Sequence, residues 1–188
     1  MSKHLKEMSL RELWQLFPIF LTEHNSNWKD WYFEQETDLA VALPTDAVFR
    51  ISHVGSTAIE QIWAKPIVDI LVELKNGADI AAIGQLLIRH GWRCMSQEAK
   101  RMSMNLGYTE TGFAEKVYHL HLRFAGDNEE LYFRDYLKDH PAAAKEYETL
   151  KLALWKRHEH NRDAYTFAKT EFVRQITEKA KIEYFGRY

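Results

Sequence analysis

The sequence is short of the residues that build unusual architectures. Its single cysteine, Cys94, leaves no partner for an internal disulfide and no Cys-rich zinc site, and a lone thiol suits a reducing compartment. Cys94 itself is expected as a small buried residue. Eight glycines and four prolines are too few for collagen-like, linker or low-complexity chains. No run reaches the ~18 apolar residues that a membrane-crossing helix needs. The charged stretch at residues 1–14 lacks the apolar core of a signal peptide, so the cytoplasm is the expected location. Charge of one sign is missing as well: 25 Lys and Arg stand against 27 Asp and Glu. A surface that follows a phosphate backbone usually needs a basic face, so neither nucleic acid nor membrane is the expected partner.

What the chain does have is core material, 46% apolar and 13% aromatic residues. At this length roughly 70% of the surface can be buried without a staple. One domain over residues 1–188 is expected, with a sheet-containing core at about 15–125 and C-terminal helices at about 128–185 packed on it.

Ser9 and Glu12 have the spacing of a capping box ahead of a short helix that Pro18 ends. Residues 19–24 read as an edge strand. Turn chemistry at Asn25-Ser26-Asn27 precedes Trp28, Trp31, Tyr32, Leu39 and Leu43 at mostly helical spacing, and Pro44 stops that run. Residues 48–54 read as a branched strand, and residues 67–74 as the near-continuous apolar run of a central strand. A helix follows at residues 79–90, then strand candidates at 92–95, 102–108 and 116–124. From Glu129 onward the pattern is helical, to about residue 138, from Pro141 to about 158, and from Asn161 to about 184. The class is α/β (α+β), a mixed sheet with flanking helices and a C-terminal helical extension.

Between the first two strands lies Gly55-Ser56-Thr57, where backbone N–H groups and a hydroxyl can approach an anion closely. A turn serine and a capping carboxylate would be the plainer account. Asp69 sits within the apolar strand, where a carboxylate needs a partner. Period-two geometry puts Asp69, Leu71 and Glu73 on one face. In residues 117–124 the same alternation sets His119, His121 and Arg123 against Tyr118, Leu120, Leu122 and Phe124. Two imidazoles at i and i+2 can share a divalent metal or contact phosphate, and an arginine beside them offers bidentate anion binding. A solvated polar face is the alternative.

Gly55-Ser56, twelve residues, then Asp69-Ile-Leu-Val72 resembles the nucleotidyltransferase superfamily pattern. More closely, His53-Val-Gly-Ser-Thr-Ala58, Lys65-Pro-Ile-Val-Asp-Ile70, His119-Leu-His121, Phe133-Arg-Asp-Tyr-Leu137 with His140-Pro141, Tyr147-x-x-Leu-Lys151 and Asp163-Ala-Tyr165 with Lys169 resemble the GrpB family. The resemblance implies a nucleotidyltransferase-like core that binds a nucleotide or phosphorylated small molecule. Gly55, Ser56, Thr57, Lys65, Arg123, Lys151 and Lys169 are then the candidate phosphate contacts. Asp69, His119 and His121 are the candidate catalytic residues and ligands of a divalent metal, Mg or Mn first and Zn as the variant. Superfamily chemistry uses two Mg²⁺ ions held by paired carboxylates, and here Leu71 stands where the second carboxylate belongs. Three functions follow as expectations: a nucleotidyltransferase, a non-catalytic nucleotide- or phosphometabolite-binding module, and a metal-dependent hydrolase using Asp69, His119 and His121.

Overall fold

Branched and apolar residues in alternation build the sheet. The structure, a computed structural model, describes residues 4–188, so the first three residues of the charged N-terminal stretch lie outside it. Among the described residues five strands, β1 (Val48–Val54), β2 (Val68–Leu74), β3 (Arg93–Gln97), β4 (Met102–Thr109) and β5 (Gly112–Phe124), join in the order β1-β2-β5-β4-β3. The central pair, β2 and β5, is parallel, and the other neighbours are antiparallel. Along β2 every residue but Asp69 is buried, as a strand covered on both faces requires.

Helices α1 (Leu10–Leu16), α2 (Asn27–Ala42), α3 (Ile80–Arg89), α4 (Glu129–Asp139), α5 (Pro141–His158), α6 (Arg162–Phe167) and α7 (Thr170–Glu183) surround this sheet. Local chemistry starts several of them. Ser9 Oγ accepts from the Glu12 amide at 3.3 Å while the Glu12 carboxylate accepts from the Ser9 amide at 2.7 Å. Asp79 caps α3 by accepting from the amides of Ala81 and Ala82, each at 3.0 Å. One face of the sheet meets α2 and α3, where Trp28, Leu39, Ile83 and Leu87 pack against Ile70, Val72, Leu120 and Leu122. The other face meets the C-terminal helices. There Leu131 of α4 closes on Val54 and Leu71, and Phe133, Leu137, Tyr147 and Ile176 join α4, α5 and α7 to Ile59 and Ile62. Because side chains alternate along a strand, Asp69 turns away from the main core toward these helices.

Three expectations need correction. Residues 19–24 form no strand; Thr22 and Ala64 make an isolated bridge, and the Ile19 amide donates to the Glu159 carbonyl at 2.8 Å instead. The last helix is not continuous. It breaks at Ala168 and Lys169, where the Lys169 amide donates to the Thr166 carbonyl at 3.2 Å, an i to i−3 bond that tightens the turn and leaves Ala168 exposed. Cys94 is exposed, because β3 is an edge strand whose five residues all face solvent. No helix among the described residues is long and apolar enough to cross a membrane.

Candidate functional site

The site begins where β1 ends. Val54 pairs with Asp69 across the β1–β2 ladder, and the next residue, Gly55, reverses the chain with φ 70° and ψ −170°. That backbone region is essentially reserved for glycine. A Cβ built on Gly55 would lie 2.2 Å from Asp69 Oδ2, so the missing side chain lets the turn rest directly on the carboxylate. Ser56 opens a single 3-10 turn, with the Tyr147 phenol nearby. Thr57 does not open on the cleft. It is buried, with its hydroxyl 3.0 Å from His53 Nε2, and the His53 ring stacks on Tyr32 at 4.8 Å, which anchors the turn from behind.

Parallel pairing sets His119 beside Asp69 and His121 beside Leu71. His119 Nδ1 is 3.2 Å from Asp69 Oδ1, and its Nε2 is 2.8 Å from the Tyr108 hydroxyl. That hydroxyl accepts in turn from Arg162 at 3.1 Å. With a neutral ring, one proton assignment satisfies the chain: Nδ1–H donates to the carboxylate, and Nε2 accepts from the phenol. His121 Nε2 stands 3.8 Å from the same Asp69 oxygen. Burial alone would raise the Asp69 carboxyl, but the His119 hydrogen bond and the His121 imidazole beside it outweigh burial and hold it well below the usual range. Burial pushes His119 below its ordinary value against the pull of Asp69. The pair is therefore a neutral imidazole beside an ionised carboxylate.

Four cations surround this carboxylate closely enough to perturb one another: Lys65 just before β2, Lys151 on α5, Arg162 on α6 and Lys169 at the α6–α7 break. Burial lowers Lys65 and Lys151 to about 7 and Lys169 to about 8; repulsion among the cations adds to this, while Asp69, and at Lys151 first Glu148, opposes it. Aromatic faces hold the lysines in place. Lys65 and Lys169 lie 5.7 Å and 4.4 Å from the Tyr165 ring centre, and Lys151 lies 4.8 Å from that of Tyr147. Lys151 is also structural: it is 2% exposed and its ammonium donates to the Trp63 carbonyl.

Arg123 is not part of this cluster. It shares the face of His119 but lies four residues further along β5, ~13 Å away at strand rise. It is buried, donates to the Leu122 carbonyl at 2.9 Å and pairs with Glu130 at 3.5 Å, so its charge is already answered. Glu73 is likewise committed to Arg50 at 2.5 Å and Asn128 at 3.0 Å. Leu71, where a second metal carboxylate would stand, is fully buried against Val54 and Leu131. The residues present thus do not fit a two-metal centre, and among the described residues no group of three or more His, Cys, Asp or Glu is arranged to hold a metal ion.

Sequence reasoning missed Tyr108 and Arg162. Regular alternation from Asn105, which pairs with His119, would set Tyr108 on the opposite face, and the register shift between Leu106 and Tyr108 is what brings it round to His119. Arg162 opens a short helix whose docking no local pattern announces.

Comparison with known proteins agrees with this architecture. The family model for GrpB protein matches residues 18–179. The chain is 33% identical over 163 residues to the glutamate-rich protein GrpB of Alkalihalophilus pseudofirmus, covering 84% of this chain and 93% of that one. It is 27% identical over 178 residues to the UPF0157 protein YqkA of Bacillus subtilis, covering 92% of this chain but 51%, about half, of that relative. Among solved structures, the conserved protein GrpB from Enterococcus faecalis superposes with a TM-score of 0.75 at 26% identity, over 88% of this chain and 99% of that chain. The Cid1 poly(U) polymerase superposes at 0.51 with 12% identity, over 85% of this chain and 51% of that one, a likeness of fold.

Proposed function

The chain belongs to the GrpB family and carries a nucleotidyltransferase-like fold, and from that premise we propose that its cleft binds the phosphate groups of a nucleotide or another phosphorylated small molecule. The grouping of Lys65, Arg162 and Lys169, with the more committed Lys151, about the Asp69 carboxylate on which the Gly55 turn rests carries the reading. Four cations against two carboxylates, Asp69 and Glu148, favour an anion, and a glycine turn with a serine hydroxyl offers it short-range donors. Charge that paired metals would supply to a triphosphate comes here from lysine and arginine. Group transfer is the further step of this reading. A neutral His119 backed by ionised Asp69 has the make-up of a general base, once an acceptor hydroxyl replaces the Tyr108 phenol at Nε2.

Calorimetric titration of inorganic phosphate and ATP in the presence of EDTA tests it. Wild-type protein should bind, and Lys65→Ala and Lys169→Ala should each weaken binding by about tenfold, ~1.4 kcal/mol. Equal affinity in all three proteins, or no binding by the wild type, would sink the reading. A thermal shift with Mn²⁺ or Zn²⁺ in the absence of phosphate, abolished by Asp69→Asn, would instead put a metal at Asp69, His119 and His121.

A further inference from the structure

The row of residues that carries Asp69 continues across the sheet. Register sets Val54, Asp69, His119 and Asn105 side by side on β1, β2, β5 and β4. Directly paired residues project to the same face, and with strands ~4.8 Å apart the row extends roughly 14 Å from the Gly55 turn to Asn105. Its far end is polar and unsatisfied. Asn105 is 3% exposed, yet among the described residues its Oδ1 has no hydrogen-bond partner. Its Nδ2 donates to the Met95 thioether at 3.0 Å, a weak acceptor. His121, diagonal to Asn105 on the same face, directs Nε2 at Asp69 and leaves a buried Nδ1 equally unpartnered.

Buried polar atoms in folded proteins are almost always paired, so two orphans on one face beside a charged cleft point to a partner that the chain does not supply. The chemistry of that partner follows from the protons. Assigning the His121 proton to Nε2, the nitrogen nearer the Asp69 carboxylate at 3.8 Å, makes Nδ1 an acceptor, and the amide oxygen of Asn105 is one as well. Two acceptors select donors. We propose that Asn105 and His121 form a recognition subsite for hydrogen-bond donors, hydroxyl or amino groups, on the organic part of the phosphorylated ligand; the inference rests on the phosphate reading of the cleft. Met95 lies at the irregularity between Cys94 and Ser96 in the β3–β4 ladder and is 61% exposed. Its unbranched side chain covers the Asn105 amide and can rotate off it to admit the ligand. A span of roughly 14 Å separates the two ends of the row, the scale of a phosphate joined to a sugar and a base rather than of a phosphate alone.

Titrations of inorganic phosphate, ribose 5-phosphate, AMP and IMP into wild type, Asn105→Leu and His121→Leu test the subsite. In the wild type at least one organic phosphate should bind about tenfold or more tighter than inorganic phosphate. Asn105→Leu should erase that margin while inorganic phosphate still binds; His121→Leu, which also alters the surroundings of Asp69, is read only as the ratio of organic to inorganic affinity, which it should likewise bring to about one, and serves as the independent test if the first variant does not fold. A margin already present with ribose 5-phosphate identifies hydroxyl donors; a margin for AMP over IMP identifies an amino group. The subsite is overturned if the margin survives both substitutions, or if no organic phosphate exceeds inorganic phosphate in the wild type, and either result leaves the phosphate reading intact. Failure of the wild type to bind inorganic phosphate or any of the phosphorylated probes removes that reading and the subsite with it.

Discussion

Gly55 is the residue on which the cleft turns. Its φ of 70° with ψ near −170° is a conformation that side chains resist, and a Cβ there would overlap Asp69 Oδ2 at 2.2 Å. Both costs fall on Gly55→Ala together. The substitution should lose ~1–3 kcal/mol of stability from backbone strain alone, read by urea denaturation. It should also lose phosphate affinity, because relief of the overlap moves the turn off the carboxylate. A variant of wild-type stability that still bound phosphate would show that the turn has room to spare. Neighbouring Thr57 illustrates how sequence adjacency misleads at this scale: its hydroxyl is spent on His53, so of the three turn residues Gly55 and Ser56 remain for a ligand.

At the scale of elements, one buried carboxylate ties β1, β2 and the start of α4 together. Glu73 is 0% exposed and accepts from Arg50 Nε at 2.5 Å, Asn128 Nδ2 at 3.0 Å and the Gly126 amide at 3.3 Å. Removing one partner leaves a buried charge uncompensated, so Arg50→Met should cost ~3–5 kcal/mol, whereas Arg50→Met combined with Glu73→Leu should recover most of that loss. Urea denaturation of the two variants checks the pair; equal losses would show that Glu73 does not depend on Arg50. The strands of this assembly were legible in the sequence because their signal is local. The apolar run of β2 marks a central strand, and alternation in β5 sets His119 and His121 correctly on one face. Arg123 obeys the same alternation, but its partner Glu130 arrives from α4, and an ion pair made in three dimensions has no period to read. Residues 19–24 have strand-like composition but pair through Thr22 and Ala64 alone. The break before α7 escapes notice because apolar spacing runs on through Tyr165, Phe172 and Ile176 while the backbone tightens at Lys169.

For the whole molecule, the lysine cluster couples stability to pH in a direction opposite to ligand affinity. Lys65 and Lys151 are lowered to about 7 and Lys169 to about 8, from 10.5 for an ordinary lysine. Between those limits the unfolded chain holds more protons than the folded one, so ligand-free stability should rise with pH from about 7 toward about 10.5. Phosphate affinity should fall over the lower part of that window, as the ammonium groups that hold the anion lose their protons. Urea denaturation without phosphate and calorimetry with it, across the same pH series, read the two trends; a parallel rise would remove the lysines from the anion site. The sheet order has a consequence of another kind. Asp69 and His119 are 50 positions apart in the chain, with α3, β3 and β4 between them, and only the parallel pairing of β2 with β5 brings them together. Closing a loop of that length is entropically harder than forming the adjacent β4–β5 hairpin. The Asp69–His119 contact therefore exists only in chains that have paired β2 with β5, and a ligand that needs it would select the folded form over any state holding the β4–β5 hairpin alone.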